Sequence, residues 1–282
     1  MRKRTSPVDD GDDTSAPSGG DRQFITSLYR GLEVLRAFRP DDRAGLSNGD
    51  LADRTGLPNS TVSRLTYTLL KTGYLLYDDA TGRYRMGVPV LSLGYACLSG
   101  MSVRDAAQGY MQELADEVGE GVLLALGGRD AHTMTYLATA RTKSVIALQL
   151  GVGSRISLAR SAMGRAYIAA CSQDERAEIL EMLEMLEQKT APEDWPTIKA
   201  GIDRSAQEIA ERGFCRNISE WQPSVNSVAV PFRSSDPSEP LLVFNLGGPA
   251  SYLAQDRMER EIGPKLVQLA ETLSLGISAK RI

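Results

Sequence analysis

Between Asn59 and Lys71 the chain reads NSTVSRLTYTLLK, and its non-apolar residues share one chemistry. At helical spacing Val62, Leu65 and Leu69 fall on one stripe. The other side carries Ser60, Thr61, Ser63, Arg64, Tyr67 and Lys71, and Asn59 opens the segment. These are short hydrogen-bonding groups and cations, with no carboxylate among them. Such a face suits phosphate oxygens and base edges. Downstream, Arg83 and Arg85 alternate in Arg83-Tyr84-Arg85-Met86 and so share one side of a strand. Arginine there can reach a phosphate backbone or a minor groove. A third set is uncharged: Asn226, Ser227 and Asn245 interrupt apolar, strand-like runs near the C-terminus. Such groups either face solvent or line a pocket, and residue type does not decide between the two.

The elements that must hold the first set lie in residues 46–70, LSNGDLADRTGLPNSTVSRLTYTLL. Ser47 and Asp50 make the S-x-x-D pair of a capping box. Ala52 falls where two crossing helices would touch. Gly56 falls where the chain must turn, a place that favours positive φ. Val62 falls where the second helix packs back on the first. Gly56-Leu57-Pro58 ends the first helix, because the residue before proline is pushed out of the α region. Gly73 stops the second. This is the skeleton of a helix-turn-helix, whose second helix enters the major groove. An ordinary αα-hairpin with a solvated polar face has the same turn chemistry. The next stretch favours the former: strand-like Tyr74–Tyr77, a turn over Asp78–Gly82 and the strand Arg83–Met86 form a hairpin placed as a wing. A helix near 26–39, with Leu28, Leu32 and Leu35 on one face, is expected to pack under the pair.

Beyond Gly87, Pro89 opens a helix bearing Val90, Leu91, Leu93 and Leu98. From Ser102 another helix carries Tyr110, Leu114 and Val118 until Gly119 and Gly121 break it. Strands are then expected at Val122–Leu126, Thr133–Ala138, Val145–Leu150, Cys215–Ile218, Ser227–Pro231 and Leu241–Leu246. Helices are expected at Ala162–Ala170, Asp174–Gln188, Ile198–Arg212 and Gln255–Leu275. Gly127-Gly128-Arg129-Asp130 reads as a hairpin turn, which points to an antiparallel sheet with helices on it, an α+β layer.

Composition sets the outer bounds. A chain of 282 residues has room for two domains. Hydrophobic residues make up 42% and charged residues 24%, ordinary for a globular protein. No apolar run approaches the ~18 residues of a membrane span. Residues 1–22 are rich in Ser, Pro, Gly and Asp, lack the apolar core of a signal peptide, and read as a disordered tail. Cys97, Cys171 and Cys215 lie far apart, which argues against a zinc ribbon and for reduced thiols buried as small hydrophobes. The net charge of −4 looks wrong for a nucleic-acid binder, but residues 21–99 hold 10 Lys/Arg against 8 Asp/Glu. A region so mildly basic must rely on local placement and pairing of copies rather than bulk attraction.

Enzyme chemistry finds little support. The single histidine, His132, follows a turn. G-x-S-x-G, P-loop and G-x-G-x-x-G motifs are absent, and GVGSRI (151–156) lacks the third glycine. Glu181, Glu184 and Glu187 read as a solvated helix surface. No nucleophile meets a base, so catalytic, metal and cofactor residues are expected to be none.

SLYRGLEVLRAF (27–38), LADRTGLPNSTVSRLTYTLLKTGYL (51–75) and GRYRMGVPVLSLG (82–94) together resemble the DNA-binding half of the IclR family of bacterial transcription regulators. ARSAMGRAYIAA (159–170), ERGFCRNISEWQPSVNSVAVPF (211–232) and LLVFNLGGP (241–249) resemble its second half, in collinear order. The resemblance implies an α+β chain: a tail (1–22), a winged helix-turn-helix domain (23–87), a linker helix (88–101) that takes part in dimerisation, and an antiparallel-sheet effector domain of GAF-like type (102–278). It implies DNA contact by Asn59, Ser60, Thr61, Ser63, Arg64, Tyr67, Lys71, Arg83 and Arg85. It places an effector pocket on Val145, Leu148, Ala162, Met163, Asn217, Ser227, Asn245 and Gly247. Asn217 stands where an aspartate can occur in the family, and Gly247 where a serine can. The ligand would be a small organic acid or aromatic metabolite, its carboxylate at the Ala162-Met163-Gly164 helix start. Trp221 would lid the pocket or cap the sheet edge. The expected protein is a cytoplasmic homodimer or homotetramer that reads a palindromic operator and controls a catabolic operon. The alternative is a DNA-binding regulator whose second domain serves only assembly.

Overall fold

The computed structural model describes residues 23–144 and 148–279. The chain divides between Tyr95 and Ala96 into two compact units. The first contains α1 (Thr26–Arg36), α2 (Asn48–Thr55), α3 (Asn59–Lys71), β1 (Leu75–Asp78) and β2 (Arg83–Met86). Ser47 caps α2 reciprocally with Asp50: the Asp50 amide donates to Ser47 Oγ at 3.1 Å and the Ser47 amide to Asp50 Oδ2 at 2.9 Å. Gly56 ends α2 at φ +68°, a left-handed value that a side chain would strain. Val34, Leu46, Leu51, Ala52, Leu57, Val62 and Leu75 form the buried core. The α1 expectation needs correction. Val34 and the partly buried Leu35 face the core, whereas Leu28 and Leu32 are exposed beside Ile25. The helix therefore docks on a face rotated from the leucine stripe.

α4 (Val88–Ser99) spans the division, and none of its side chains is buried. The second unit is built on a six-stranded sheet of order β5-β4-β3-β8-β7-β6, every neighbouring pair antiparallel. Its strands are β3 (Leu123–Asp130), β4 (Thr133–Arg141), β5 (Arg155–Ser157), β6 (Cys215–Ile218), β7 (Val225–Phe232) and β8 (Leu242–Pro249). One face packs against α5 (Ser102–Val118) and α10 (Gly263–Ala279) through Leu124, Leu126, Val228, Phe244 and Leu246. α10 continues without a break from α9 (Gln255–Arg257) and a π-turn over Met258–Ile262. The opposite face packs against α6 (Ala162–Ala170), α7 (Gln173–Thr190) and α8 (Trp195–Arg212) through Leu123, Ala125, Cys215, Ala229 and Val243. Alternate side chains thus feed two cores, which is why these strands are apolar almost throughout.

Three expectations fail here. Tyr110 is exposed; α5 buries Val103, Ala107, Met111, Leu114, Ala115 and Val118 instead. Gly127-Gly128-Arg129-Asp130 is no turn, since all four lie in β3, after a register shift at Leu126/Gly127. A Cβ on Gly127 would stand 2.5 Å from Met163 Sδ, so glycine is there to let α6 approach the sheet. Leu148–Leu150 is not a strand, and the short β5 holds the sheet edge instead. Val145–Ile146–Ala147 lies outside the described residues. No helix among the described residues is long and apolar enough to cross a membrane.

Candidate functional site

On α3, Val62 and Thr66 are buried, while Asn59, Ser60, Ser63, Arg64, Tyr67 and Lys71 are exposed and Thr61 is half-buried. Their freedom differs. Ser63 Oγ donates to Asn48 Oδ1 at 3.2 Å and lies 2.9 Å from the Asn59 carbonyl, within hydrogen-bond distance. Asn48 Nδ2 in turn donates to Asn59 Oδ1 at 2.9 Å. Asn48 therefore fixes the entry of α3 against α2, a role that no local spacing signals, since these contacts span 11 and 15 positions. The Lys71 ammonium lies 5.5 Å from the Tyr67 ring centroid, within cation–π range. The Arg64 guanidinium is exposed and has no partner among the described residues.

The wing is tied down at its root. Leu46 and Tyr84 exchange backbone hydrogen bonds of 2.9 and 2.7 Å. The Thr66 hydroxyl reaches Tyr84 Oη at 3.3 Å, and the Tyr77 and Tyr84 rings lie 5.0 Å apart. Arg83 Nη1 donates to the Gly45 carbonyl at 2.8 Å and pairs with Asp50 at 3.1 Å. Arg85 Nη2 donates to Asp78 Oδ2 at 2.7 Å. Both wing arginines thus have an acidic partner within the chain.

In the second unit the expected pocket residues share the α6 face of the sheet. Asn217, Ser227, Gly247 and Leu123 form one cross-strand row, and Ala229, Asn245 and Ala125 lie in the next. All are buried. Ala162 and Met163 are buried at the start of α6, and Leu148 packs against the same core. Val145 lies outside the described residues. The Gly164 amide is taken by the cap Ser161 Oγ at 3.1 Å, so the expectation of three open amides reduces to those of Ala162 and Met163, which have no acceptor among the described residues. Gly164 also has a steric duty: a Cβ there would stand 2.0 Å from the Leu158 carbonyl oxygen. The polar atoms of Asn217 are consumed. Its Nδ2 donates to the Arg160 carbonyl at 2.8 Å, and its Oδ1 accepts from the amides of Glu220 and Trp221 at 3.2 and 3.1 Å. Asn245 is 5% exposed, and its Oδ1 is buried without a partner.

Other residues matter that sequence reading passed over. The Arg165 side chain, 3% exposed, donates to the Ala159 carbonyl at 3.0 Å and to Glu220 at 2.7 Å. Glu220 also pairs with Arg204 on α8. These bonds fix the loop that carries Trp221, which packs partly buried against the α6 core. Tyr136 is buried on the same face, its phenol pushed to a higher pKa by burial. Glu187 is not merely solvated: it pairs with Arg160 at 2.9 Å, and Asp194 adds a second contact to that arginine at 2.8 Å. Of the cysteines, Cys215 is buried and its thiol pushed up to about 12, Cys171 is half-buried, and Cys97, against expectation, is exposed. His132 is exposed. Among the described residues no three His, Cys, Asp or Glu side chains are placed to hold a metal ion.

A winged helix-turn-helix with an open polar helix face, followed by an α+β unit that buries Asn217, Ser227 and Asn245 among apolar side chains, defines a transcription regulator of two parts. Comparison with known proteins agrees. Residues 27–79 match the IclR helix-turn-helix domain, and residues 95–275 match the C-terminal part of bacterial IclR transcriptional regulators. The chain belongs to the IclR family, whose members are transcription regulators and not enzymes. It is 29% identical over 263 residues to the HTH-type transcriptional regulator TsaQ1/TsaQ2 of Comamonas testosteroni, covering 92% of this chain and 90% of that one. It is 28% identical to the Pca regulon regulatory protein of Pseudomonas putida, covering 90% and 84%. A solved IclR family regulator from Brucella abortus matches with a TM-score of 0.82 and 40% identity, covering 93% of this chain and 96% of that one.

Proposed function

We propose that this regulator reads a palindromic operator in the cytoplasm as a homodimer or homotetramer, and that a small organic acid or aromatic metabolite bound in the second unit alters its DNA affinity and so controls a catabolic operon. The ligand response rests above all on Asn245, whose Oδ1 is buried without a partner on the sheet face that packs against α6, the helix whose Ala162 and Met163 amides have no acceptor among the described residues. Leu148, Ser227 and Gly247 complete the wall, with Val145 expected beside them, and Asn217 acts by holding the Glu220–Trp221 loop. DNA contact falls to Ser60, Thr61, Arg64, Tyr67 and Lys71, with Asn59 and Ser63 setting the helix entry and Arg83 and Arg85 shaping the wing. The proposed linker helix (88–101) and α1 support self-association: Val88, Leu91, Leu93 and Tyr95 on the former and Ile25, Leu28 and Leu32 on the latter are exposed. Relatives of similar length named as regulators of operons or regulons support the catabolic role.

For a ligand to act, it must bind the DNA-competent and incompetent forms with different affinity. The test is fluorescence anisotropy of the protein on DNA from its own upstream region, with and without metabolites that raise its melting temperature. A change in DNA affinity of fivefold or more is expected. Metabolites that bind yet leave the DNA affinity untouched would reduce the second unit to an assembly module.

A further inference from the structure

We infer that Ser63, beyond setting the helix entry, reads the exocyclic amine of an adenine or cytosine, and that Asn48 imposes this choice by competing for its proton. This rests on the reading of α3 as the helix that meets the operator. Asn48 stands half-buried at the start of α2. Its Nδ2 lies 3.2 Å from the Asn59 main-chain carbonyl and 2.9 Å from Asn59 Oδ1. A main-chain carbonyl only accepts, so the carboxamide must turn its Nδ2 to that side. Its Oδ1 is then left to face Ser63 Oγ at 3.2 Å. The Asn59 carbonyl, one helical turn back, faces the same hydroxyl at 2.9 Å. Ser63 thus has two acceptors beside it, one from each helix of the pair, and a single proton to give. A bond to the carbonyl one turn back is common for serine in a helix and leaves the hydroxyl room to rotate. The second acceptor, brought by α2, opposes that rotation. What the exposed Ser63 offers outward is therefore its oxygen lone pairs.

Few groups of DNA can use such an oxygen. Phosphate oxygens, guanine O6 and N7, adenine N7 and thymine O4 all accept. The donors in the major groove are adenine N6 and cytosine N4. To serve any of the acceptors, Ser63 would have to give up a hydrogen bond within the chain, which offsets the gain. Its neighbours on α3 have the opposite polarity. The Ser60 and Thr61 hydroxyls make no hydrogen bond with the described residues, so their protons are free for a phosphate. Arg64 has donors alone. Ser63 supplies the acceptor that this face otherwise lacks.

The experiment starts with selection of binding sites from a random DNA library by the full chain. Ser63→Ala should level the base preference at one position per half-site. In the parent's best site, the amino base of that pair is then replaced by its analogue without the amine, purine for adenine or 2-pyrimidinone for cytosine. The loss should be about fivefold for the parent, the scale of one net hydrogen bond, and less than about twofold for Ser63→Ala. Asn48→Asp and Asn48→Ala both remove the donor to Asn59, but Asn48→Asp keeps an acceptor beside Ser63. Asn48→Asp should therefore bind all DNA more weakly yet keep the preference at that position, whereas Asn48→Ala should reduce it to about twofold. A purely structural Asn48 would move the two variants together, and that outcome overturns its part in the choice. An amine whose removal costs the parent no more than Ser63→Ala, or a selected site that Ser63→Ala leaves unchanged, overturns the inference while α3 still reads DNA. A parent chain that enriches no site overturns the DNA reading and the inference together.

Discussion

Arg83 in the wing lies 3.1 Å from Asp50 in the first turn of α2, while Asp50 also accepts the Ser47 amide at 2.9 Å. One carboxylate thus caps a helix and anchors a strand. Arg83→Ala should loosen the wing rather than simply delete a phosphate contact. In a double-mutant cycle with Asp50→Asn, the coupling in stability should be positive but small, because both side chains are partly exposed. The salt dependence of DNA binding should change by less than one phosphate contact per subunit. No coupling together with a full unit of lost salt slope would return Arg83 to the role of a direct phosphate ligand.

Arg64 is the contrasting case, exposed on α3 with no partner among the described residues. Arg64→Ala should cost about 1–3 kcal/mol in operator binding and relax preference at one base position per half-site. Stability should hardly move. Selection of binding sites from a random library checks this, and an unchanged base preference would mean that the helix presents another face.

The acid limb of stability can be assigned in part to the first unit. The hydrogen bond from Arg54 holds the Asp42 carboxyl below its ordinary value of 3.8, and the Ser47 amide does the same for Asp50. A depressed folded value means that the stabilisation is present above about pH 4 and is lost as pH falls through the folded values. Melting temperature, followed by circular dichroism, should therefore drop as pH falls below about 4. Asp42→Asn should lower it at pH 7 and converge on the parent in acid. Parallel curves for the two proteins would sever the link.

Glu220→Gln tests the loop that carries Trp221. It removes the charge facing a guanidinium that is 3% exposed. Breaking such a pair costs on the order of 3–5 kcal/mol, and the lower end is expected because Glu220 is itself partly wet. Chemical denaturation should show the loss, and Trp221 emission should shift. A cost under about 1 kcal/mol would mean that water replaces the carboxylate without penalty.

Much of this molecule was readable from short-range chemistry. Ser47, Asp50 and Gly56 act through neighbours a few residues away, so the helix-turn-helix could be placed from its caps and turn. The helix Ala162–Ala170 has the expected bounds. What escaped depends on distant partners. Gly127 reads as turn chemistry until Met163, 36 positions on, is seen above it. Leu28 and Leu32 read as core because a single chain's sequence does not say which apolar stripe its own fold covers. Arg165 and Glu220, 55 positions apart, look like surface charges, yet one of them is buried. The pocket polar set was legible as residue types only. That Asn217 is spent on backbone groups while Asn245 is not emerges from the register of β6, β7 and β8.

The three thiols differ enough in access to give the experimenter a reporter. Cys97 is exposed on α4, whereas burial raises the pKa of both Cys171 and Cys215. A maleimide dye at neutral pH should therefore find Cys97 well before the others in a single copy, and slow labelling of Cys97 that speeds up on dilution would report the self-association proposed for that helix. A fluorophore seated there rides on the helix at which the two compact units divide. Its anisotropy, read with and without operator DNA, would report how binding changes the rotational mobility at that helix in the unmodified sequence.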